Sequence, residues 1–349
     1  MKKALAVLAV ALACAGIVVV LTGRAQGLEW TRVALAGECR CADGSEFAVW
    51  ERRADLAKVV LFLNGGGVCW DATTCALTGD HGENDFYDWS LRGTEPENRS
   101  GMFDVTRSDN PFAGFSFIYL SSCTGDAHLG NTSQVYSPTL TVEHRGFVNG
   151  TAALTYLAAQ YPGAAQVVVV GKTAGSVAAP LYGGLVADRL PNAKVTVLGA
   201  QSGAWPDHPD FNTDILGARW GAYAAMPDWP KQGLAVRDWG VPKFWTRAAA
   251  HHPDLVLARF DFAYDPHATS ELTRWSDGDL LATIDRNEAA IEATGVRLHS
   301  YTAPGADHQI FEPDRFYTLK VKGIRLVDWI TALVDGKKPA DVHCDACAG

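Results

Sequence analysis

Ten consecutive residues, Val167-Val168-Val169-Val170-Gly171-Lys172-Thr173-Ala174-Gly175-Ser176, limit the fold more than any other part of this chain. Four β-branched residues in a row suit a strand covered on both faces. The glycines after them permit a sharp turn into a helix. A buried strand feeding a helix is the repeating unit of a mostly parallel sheet flanked by helices.

Further apolar runs extend that pattern at 58–63, 116–120, 194–198, 255–262 and 296–301, with 166–170 as the strand before the turn. Helices are expected over 147–160, 176–189 and 323–334, the last with Ile324, Val327, Ile330 and Val334 on one stripe. Two stretches rich in Gly, Pro, Asp and Trp, residues 71–112 and 201–250, read as irregular loops that shape a pocket over the carboxyl ends of the strands. With 349 residues, 48% of them hydrophobic, the chain can bury one large core, and residues 27–349 are expected to form a single domain.

The turn places Thr173 at the centre of Gly-x-Thr-x-Gly, where a nucleophile elbow lifts its middle residue towards substrate. A phosphate loop would end in the same Gly-Lys-Thr but needs a glycine where this chain has Gln166. A tight connection with no chemistry is the plain alternative for the turn. Upstream, the strand ending at Leu63 runs into Asn64 and three glycines, Gly65 to Gly67, an arrangement that can aim backbone N–H groups at a developing oxyanion. Downstream, Asp265 comes after the 255–262 strand and His308 after the 296–301 strand. The order elbow, acid, histidine is that of α/β hydrolases, in which the histidine moves the hydroxyl proton and the acid holds the imidazole. Asp261 lies within a strand and is less free to reach a histidine, and Asp307 is expected to point elsewhere. Lys172 reads as a solvated side chain beside the elbow.

A formal charge of -9 and the lack of a basic tract argue against nucleic acid as a partner. Lys2 and Lys3, succeeded by an apolar run over 4–21, read as an export signal within residues 1–26, and the run is also long enough to serve as an uncleaved membrane anchor. The expected location is secreted or periplasmic, or anchored on the outer face of the membrane. Behind the signal stand Cys39, Cys41, Cys69, Cys75, Cys123, Cys344 and Cys347, which export favours as three disulfides and one thiol. A zinc site joining Cys344-x-x-Cys347 to Cys39-x-Cys41 is the competing use of four of them.

Several segments resemble the pectin acetylesterase and Notum family of secreted α/β hydrolases: 64–70 with Thr73-Thr74-Cys75, 123–130, 171–176, Tyr264-Asp265 and 305–308. The resemblance implies an α/β-hydrolase-like sheet, Thr173 in the nucleophile position, Asp265 as acid and His308 as base. It further implies oxyanion donors on the backbone of Gly66, Gly67 and Ala174, and a disulfide between Cys69 and Cys75. The implied activity is removal of O-acyl groups from an acylated small molecule, glycan or lipid, with neither metal nor organic cofactor.

The departure is Thr173, where the family pattern has serine. A β-branched residue is restricted at χ1, and its methyl crowds both the turn and the acyl carbon. Ser176 lies too far into the helix to substitute for it. The chain therefore has two readings: an ester hydrolase using threonine, or a pseudohydrolase that binds an acylated ligand without turnover. Trp70, Ser202 and Trp205 are expected to line the pocket, with loop packing as the alternative for each.

Overall fold

The computed structural model describes residues 29–79, 82–96, 100–266, 275 and 278–348. The apolar run over 4–21 lies outside them, and no helix among the described residues is long and apolar enough to cross a membrane.

The strands are β1 (Thr31–Ala34), β2 (Ala48–Arg52), β3 (Asp55–Leu63), β4 (Phe115–Leu120), β5 (Thr132–Ser137), β6 (Leu140–His144), β7 (Gln166–Lys172), β8 (Lys194–Ala200), β9 (Val256–Phe262), β10 (Leu298–Ala303), β11 (Lys320–Val321), β12 (Ile324–Arg325) and β13 (Val342–His343). The helices are α1 (Gly146–Gln160), α2 (Ala174–Arg189), α3 (Ala222–Ala225), α4 (Val241–His251), α5 (Leu280–Glu292), α6 (Arg315–Thr318) and α7 (Leu326–Val334). Nine strands form one sheet in the order β1-β2-β4-β3-β7-β8-β9-β10-β13. β1, β2 and β4 pair antiparallel, and every later pairing along the sheet is parallel.

β7 shows why the sheet needs cover on both faces. Val167 and Val169 pack with Leu154 of α1 and Val177 and Leu181 of α2. Val168 and Val170 point the other way, to Phe62, Phe311 and Ile330 of α7. Each fully buried valine contributes on the order of 1.5–3 kcal/mol relative to exposure, so the run cannot tolerate a bare face. α2 approaches closely because it is rich in small residues: a Cβ on Gly183 would stand 2.3 Å from Val197 Cγ2 of β8.

The expected α/β-hydrolase-like architecture is present, with three local corrections. The stretch over 201–250 is largely helical, containing a π-helical segment at Phe211–Arg219 as well as α3 and α4. The last helix starts at Leu326, because Lys322 and Gly323 adopt φ of 50° and 85° and turn β11 back on β12. The zinc alternative fails: Cys41 is bonded to Cys123, Cys69 to Cys75 and Cys344 to Cys347, which leaves Cys39 as a thiol.

Candidate active site

β7 ends at Lys172 and α2 begins at Ala174, so a single residue makes the turn. Thr173 takes φ 49° and ψ −118°, a sparsely populated conformation and an outlier for a β-branched side chain. Its N–H donates to Ala200 O at 2.8 Å and its carbonyl accepts from Ser176 N–H at 2.9 Å, which fixes the turn at both ends. The flanking glycines are required by contact: a Cβ on Gly171 would lie 2.5 Å from Gly175 O, and one on Gly175 would lie 2.1 Å from Leu63 O.

The glycine run after β3 passes directly beside this turn. A Cβ on Gly65 would stand 1.8 Å from Thr173 Oγ1, so only glycine leaves room for the hydroxyl. Gly67, at φ 68°, sits against Phe86 O, which a Cβ would approach to 1.8 Å. The carbonyl of Gly66 accepts from Asp88 N–H at 2.8 Å, and the Cys69–Cys75 bridge closes the next segment of the loop. Ala174 is the first residue of α2, so its N–H has no acceptor within the helix.

On the other side of β7, the loops after β9 and β10 are joined by Tyr264 N–H donating to Gly305 O at 3.0 Å. Asp265, 2% exposed, accepts a 2.7 Å hydrogen bond at Oδ2 from His308 Nδ1. That bond sets the Nδ1–H tautomer and leaves Nε2 as the basic nitrogen. Asp307 is ion-paired with Arg315 and Asp261 with Arg259, and Asp261 also accepts from Gly203 N–H. Neither acid is free to replace Asp265.

One residue beside the elbow, Lys172, does not behave as the sequence suggests. Lys172 is buried, not solvated: its ammonium donates to Glu312 Oε1 at 2.5 Å and to Gln309 Oε1 at 3.2 Å, tying the elbow strand to the histidine loop. Ser176 is buried and hydrogen-bonded to Ser202 Oγ at 2.6 Å. Trp70 and Trp205 belong to a buried aromatic group: Trp70 meets Trp275 edge-on, Trp275 meets Phe211, and Phe211 meets Trp205. Trp70, Ser202 and Trp205 are each no more than 5% exposed.

Sequence reasoning assigned no role to the groups that brace the glycine run, although segment 123–130 carries two of them. His128 sits beneath Asn64, with Nε2 2.8 Å from Asn64 O, and burial drives its pKa down to about 4, so the ring is neutral. Asp126 accepts from Gly146 N–H and the Thr124 hydroxyl, and burial pushes its carboxyl up to about 6. Asp88 is raised to about 7, by burial first and by neighbouring Glu83 second, with Lys172 acting against the shift. Around β7, the ends of β3, β4 and β8 carry buried polar atoms with no protein partner: Asn64 Oδ1, Ser122 Oγ and both amide atoms of Gln201. Cavities of about 650 and 880 Å3 lie elsewhere, at the amino ends of β7 to β10. Ligands of open parallel sheets bind at the carboxyl ends, where Thr173 is.

The model of the family described as Pectinacetylesterase matches residues 24–219. The match includes the glycine run and Thr173 and ends before Asp265 and His308. No curated protein matches the chain in sequence. Among solved structures the chain is similar to the Wnt deacylase Notum from Drosophila, with a TM-score of 0.65 and 15% identity over 91% of this chain and 97% of that one. That likeness carries the α/β-hydrolase-like fold.

Proposed function

The chain belongs to the pectinacetylesterase family, and from that premise we propose that it hydrolyses a carboxylic ester with Thr173 as nucleophile, His308 as base and Asp265 as the acid that holds the base. Family membership supports an esterase or deacylase activity in general. The observation that carries the specific reading is Thr173 itself, a β-branched residue held at φ 49° with its hydroxyl against Gly65. Strain of this kind costs on the order of 1–3 kcal/mol and persists where the surrounding structure enforces it.

In the proposed reaction His308 Nε2 takes the Thr173 proton as Oγ1 attacks the acyl carbon. The carbonyl oxygen becomes an oxyanion, which the N–H groups of Gly66, Gly67 and Ala174 stabilise. Collapse of the tetrahedral intermediate breaks the ester C–O bond, and His308 returns its proton to the leaving alcohol. A water molecule, deprotonated by His308, then attacks the acyl-threonine and releases the acid. Asp265 holds the imidazole through Nδ1 and favours the imidazolium. The substrate is an O-acylated small molecule, glycan or lipid. Trp70, Ser202 and Trp205 act in this reading from behind the pocket wall. Residues 1–26 direct export, with retention as a membrane anchor as the other outcome, and residues 27–349 act as one domain. Three disulfides are consistent with an exported protein.

A second reading is favoured by the same residue. The extra methyl of Thr173 occupies space beside the hydroxyl, and a chain that binds an acyl group without turnover would retain everything else in the site. Hydrolysis of p-nitrophenyl esters from acetate to decanoate separates the two. If the wild type is active and both Thr173→Ala and His308→Ala are inactive, the hydrolase reading stands. An inert wild type that gains activity as Thr173→Ser leaves the binding reading.

A further inference from the structure

The last turns of α2 and α4 bring together three side chains that the ester chemistry does not use. Asp188 Oδ1 lies 2.8 Å from His251 Nε2 and 2.8 Å from His252 Nε2. Among the described residues these two imidazoles are the only ion-pair partners of Asp188. The adjacent Arg189 turns back to donate to Leu185 O at 3.0 Å. The three side chains are 28–35% exposed, within reach of solvent but not projecting freely into it.

From this arrangement we propose a divalent transition-metal site, with Zn2+ as the best-matched ion, formed by Asp188, His251 and His252. Two imidazoles and one carboxylate are a donor set suited to Zn2+. The three ligand atoms lie within 4.8 Å of one another. Tetrahedral coordination with bonds of about 2.0 Å separates ligand atoms by about 3.3 Å, so a shift of a few tenths of an ångström in the Asp188 carboxylate opens the space for the ion. Both imidazoles then move their proton to Nδ1 and turn the Nε2 lone pair to the metal.

Two further features favour a cation here. His251 is stacked on Trp229 at 4.5 Å and 8°, and Trp229 in turn lies against Gly184 of α2, where a Cβ would stand 2.7 Å from its ring. The ring of His251 is therefore held before any ion arrives. α2 ends at Arg189 and α4 at His251, so the site lies at two helix C-termini, where carbonyls left without intrahelical donors favour positive charge. His252 also lines the cavity of about 880 Å3, from which water can complete the coordination. An ion bound here clamps α4 to the end of the helix whose other end carries Thr173.

The test is a Co2+ titration of the protein monitored by visible absorption, with Zn2+ competition, alongside thermal denaturation with and without Zn2+. The expected result is one site with the bands of nitrogen and oxygen ligands, displaced by Zn2+, and a melting temperature raised by Zn2+. His251→Gln, His252→Gln and Asp188→Asn are each expected to weaken binding by about 100-fold or more and to abolish the thermal shift. Wild-type affinity in all three variants would overturn the proposal. So would intense sulfur-to-cobalt absorption lost in Cys39→Ser, or binding lost only in His308→Ala, since each assigns the ion elsewhere. The glutamine and asparagine substitutions keep hydrogen bonding at these surface positions, and circular dichroism of each variant verifies that it is folded.

Discussion

Gly65 and Thr173 are in direct contact, with the hydroxyl of one where the side chain of the other would begin: a Cβ on Gly65 would lie 1.8 Å from Oγ1 and 3.1 Å from Thr173 Cβ. Gly65→Ala is expected to lower stability by about 1–3 kcal/mol through overpacking. Its ester hydrolysis should fall by about 100-fold or more, because the displaced hydroxyl and glycine backbone no longer face each other correctly. In a Thr173→Ala background most of the clash is gone, so the same substitution should cost much less. Thermal denaturation of the four proteins in this cycle measures the difference, and equal costs in both backgrounds would refute a direct contact.

Lys172 and Glu312 join the elbow strand to the histidine loop across a 2.5 Å ion pair. Lys172→Met leaves Glu312 without that partner, and Glu312 Oε2 is already buried and unpaired. The expected loss of stability is about 1–3 kcal/mol. In the proposed reaction kcat should fall more than KM rises, since the pair positions His308 and does not touch substrate. Adding Glu312→Gln to Lys172→Met should recover part of the stability. Additive losses in chemical denaturation would mean that the two side chains are not coupled.

Asp88 gives a signed dependence on pH. Its carboxyl keeps a proton to about 7 in the folded chain, whereas an unfolded aspartate loses it near 3.8. Between those values the unfolded state binds fewer protons, so stability falls as pH rises and the loss is complete above the folded value. Asp88→Asn cannot ionise. Its melting temperature should gain on the wild type steadily from about pH 4 to about pH 8, while Asp126, Asp261, His128 and His144 titrate in both proteins and cancel in the comparison. A gap that stays constant with pH would show that Asp88 is ionised throughout.

The bridges should contribute unequally. Cys41–Cys123 spans 82 residues and Cys344–Cys347 spans 3. Chain-entropy arguments give about 4 kcal/mol for the long loop and about 2 kcal/mol or less for the short one. The paired Cys41→Ser/Cys123→Ser variant should therefore melt well below Cys344→Ser/Cys347→Ser in differential scanning calorimetry, and the reverse order would contradict the loop-length account.

The parallel centre of the sheet is legible in the sequence because strands covered on both faces read as unbroken apolar runs, as Val167 to Val170 do. The antiparallel edge is not. β1 and β2 interleave Arg32, Glu51 and Arg52 with apolar residues, and Arg52 is accommodated by lying over the rings of Trp30 and Phe117. α4 did carry a helical signal, since Val241, Phe244, Trp245 and Ala248 are its buried stripe, but the surrounding Gly, Pro and Trp hid it in an apparent loop. In the candidate site, Thr173, Asp265 and His308 are candidates from the order of turn, acid and histidine after β7, β9 and β10, and the Asp265–His308 hydrogen bond is the part of that set the structure brings together. The surroundings of Lys172 were not legible, because Glu312 stands 140 positions away and only the folded sheet brings it near. The Cys41–Cys123 pairing is equally tertiary, joining the segment before β2 to the segment after β4.

Under the proposed reaction, the side chain at the elbow also bears on deacylation. An acyl group on Thr173 is the ester of a secondary alcohol, flanked on one side by a methyl that cannot rotate away, because χ1 is restricted and the backbone is fixed by Ala200 O and Ser176 N–H. Water must approach that carbonyl from the face the methyl leaves open. Under the proposed reaction, release of the acid is then slower than it would be from a serine at the same position.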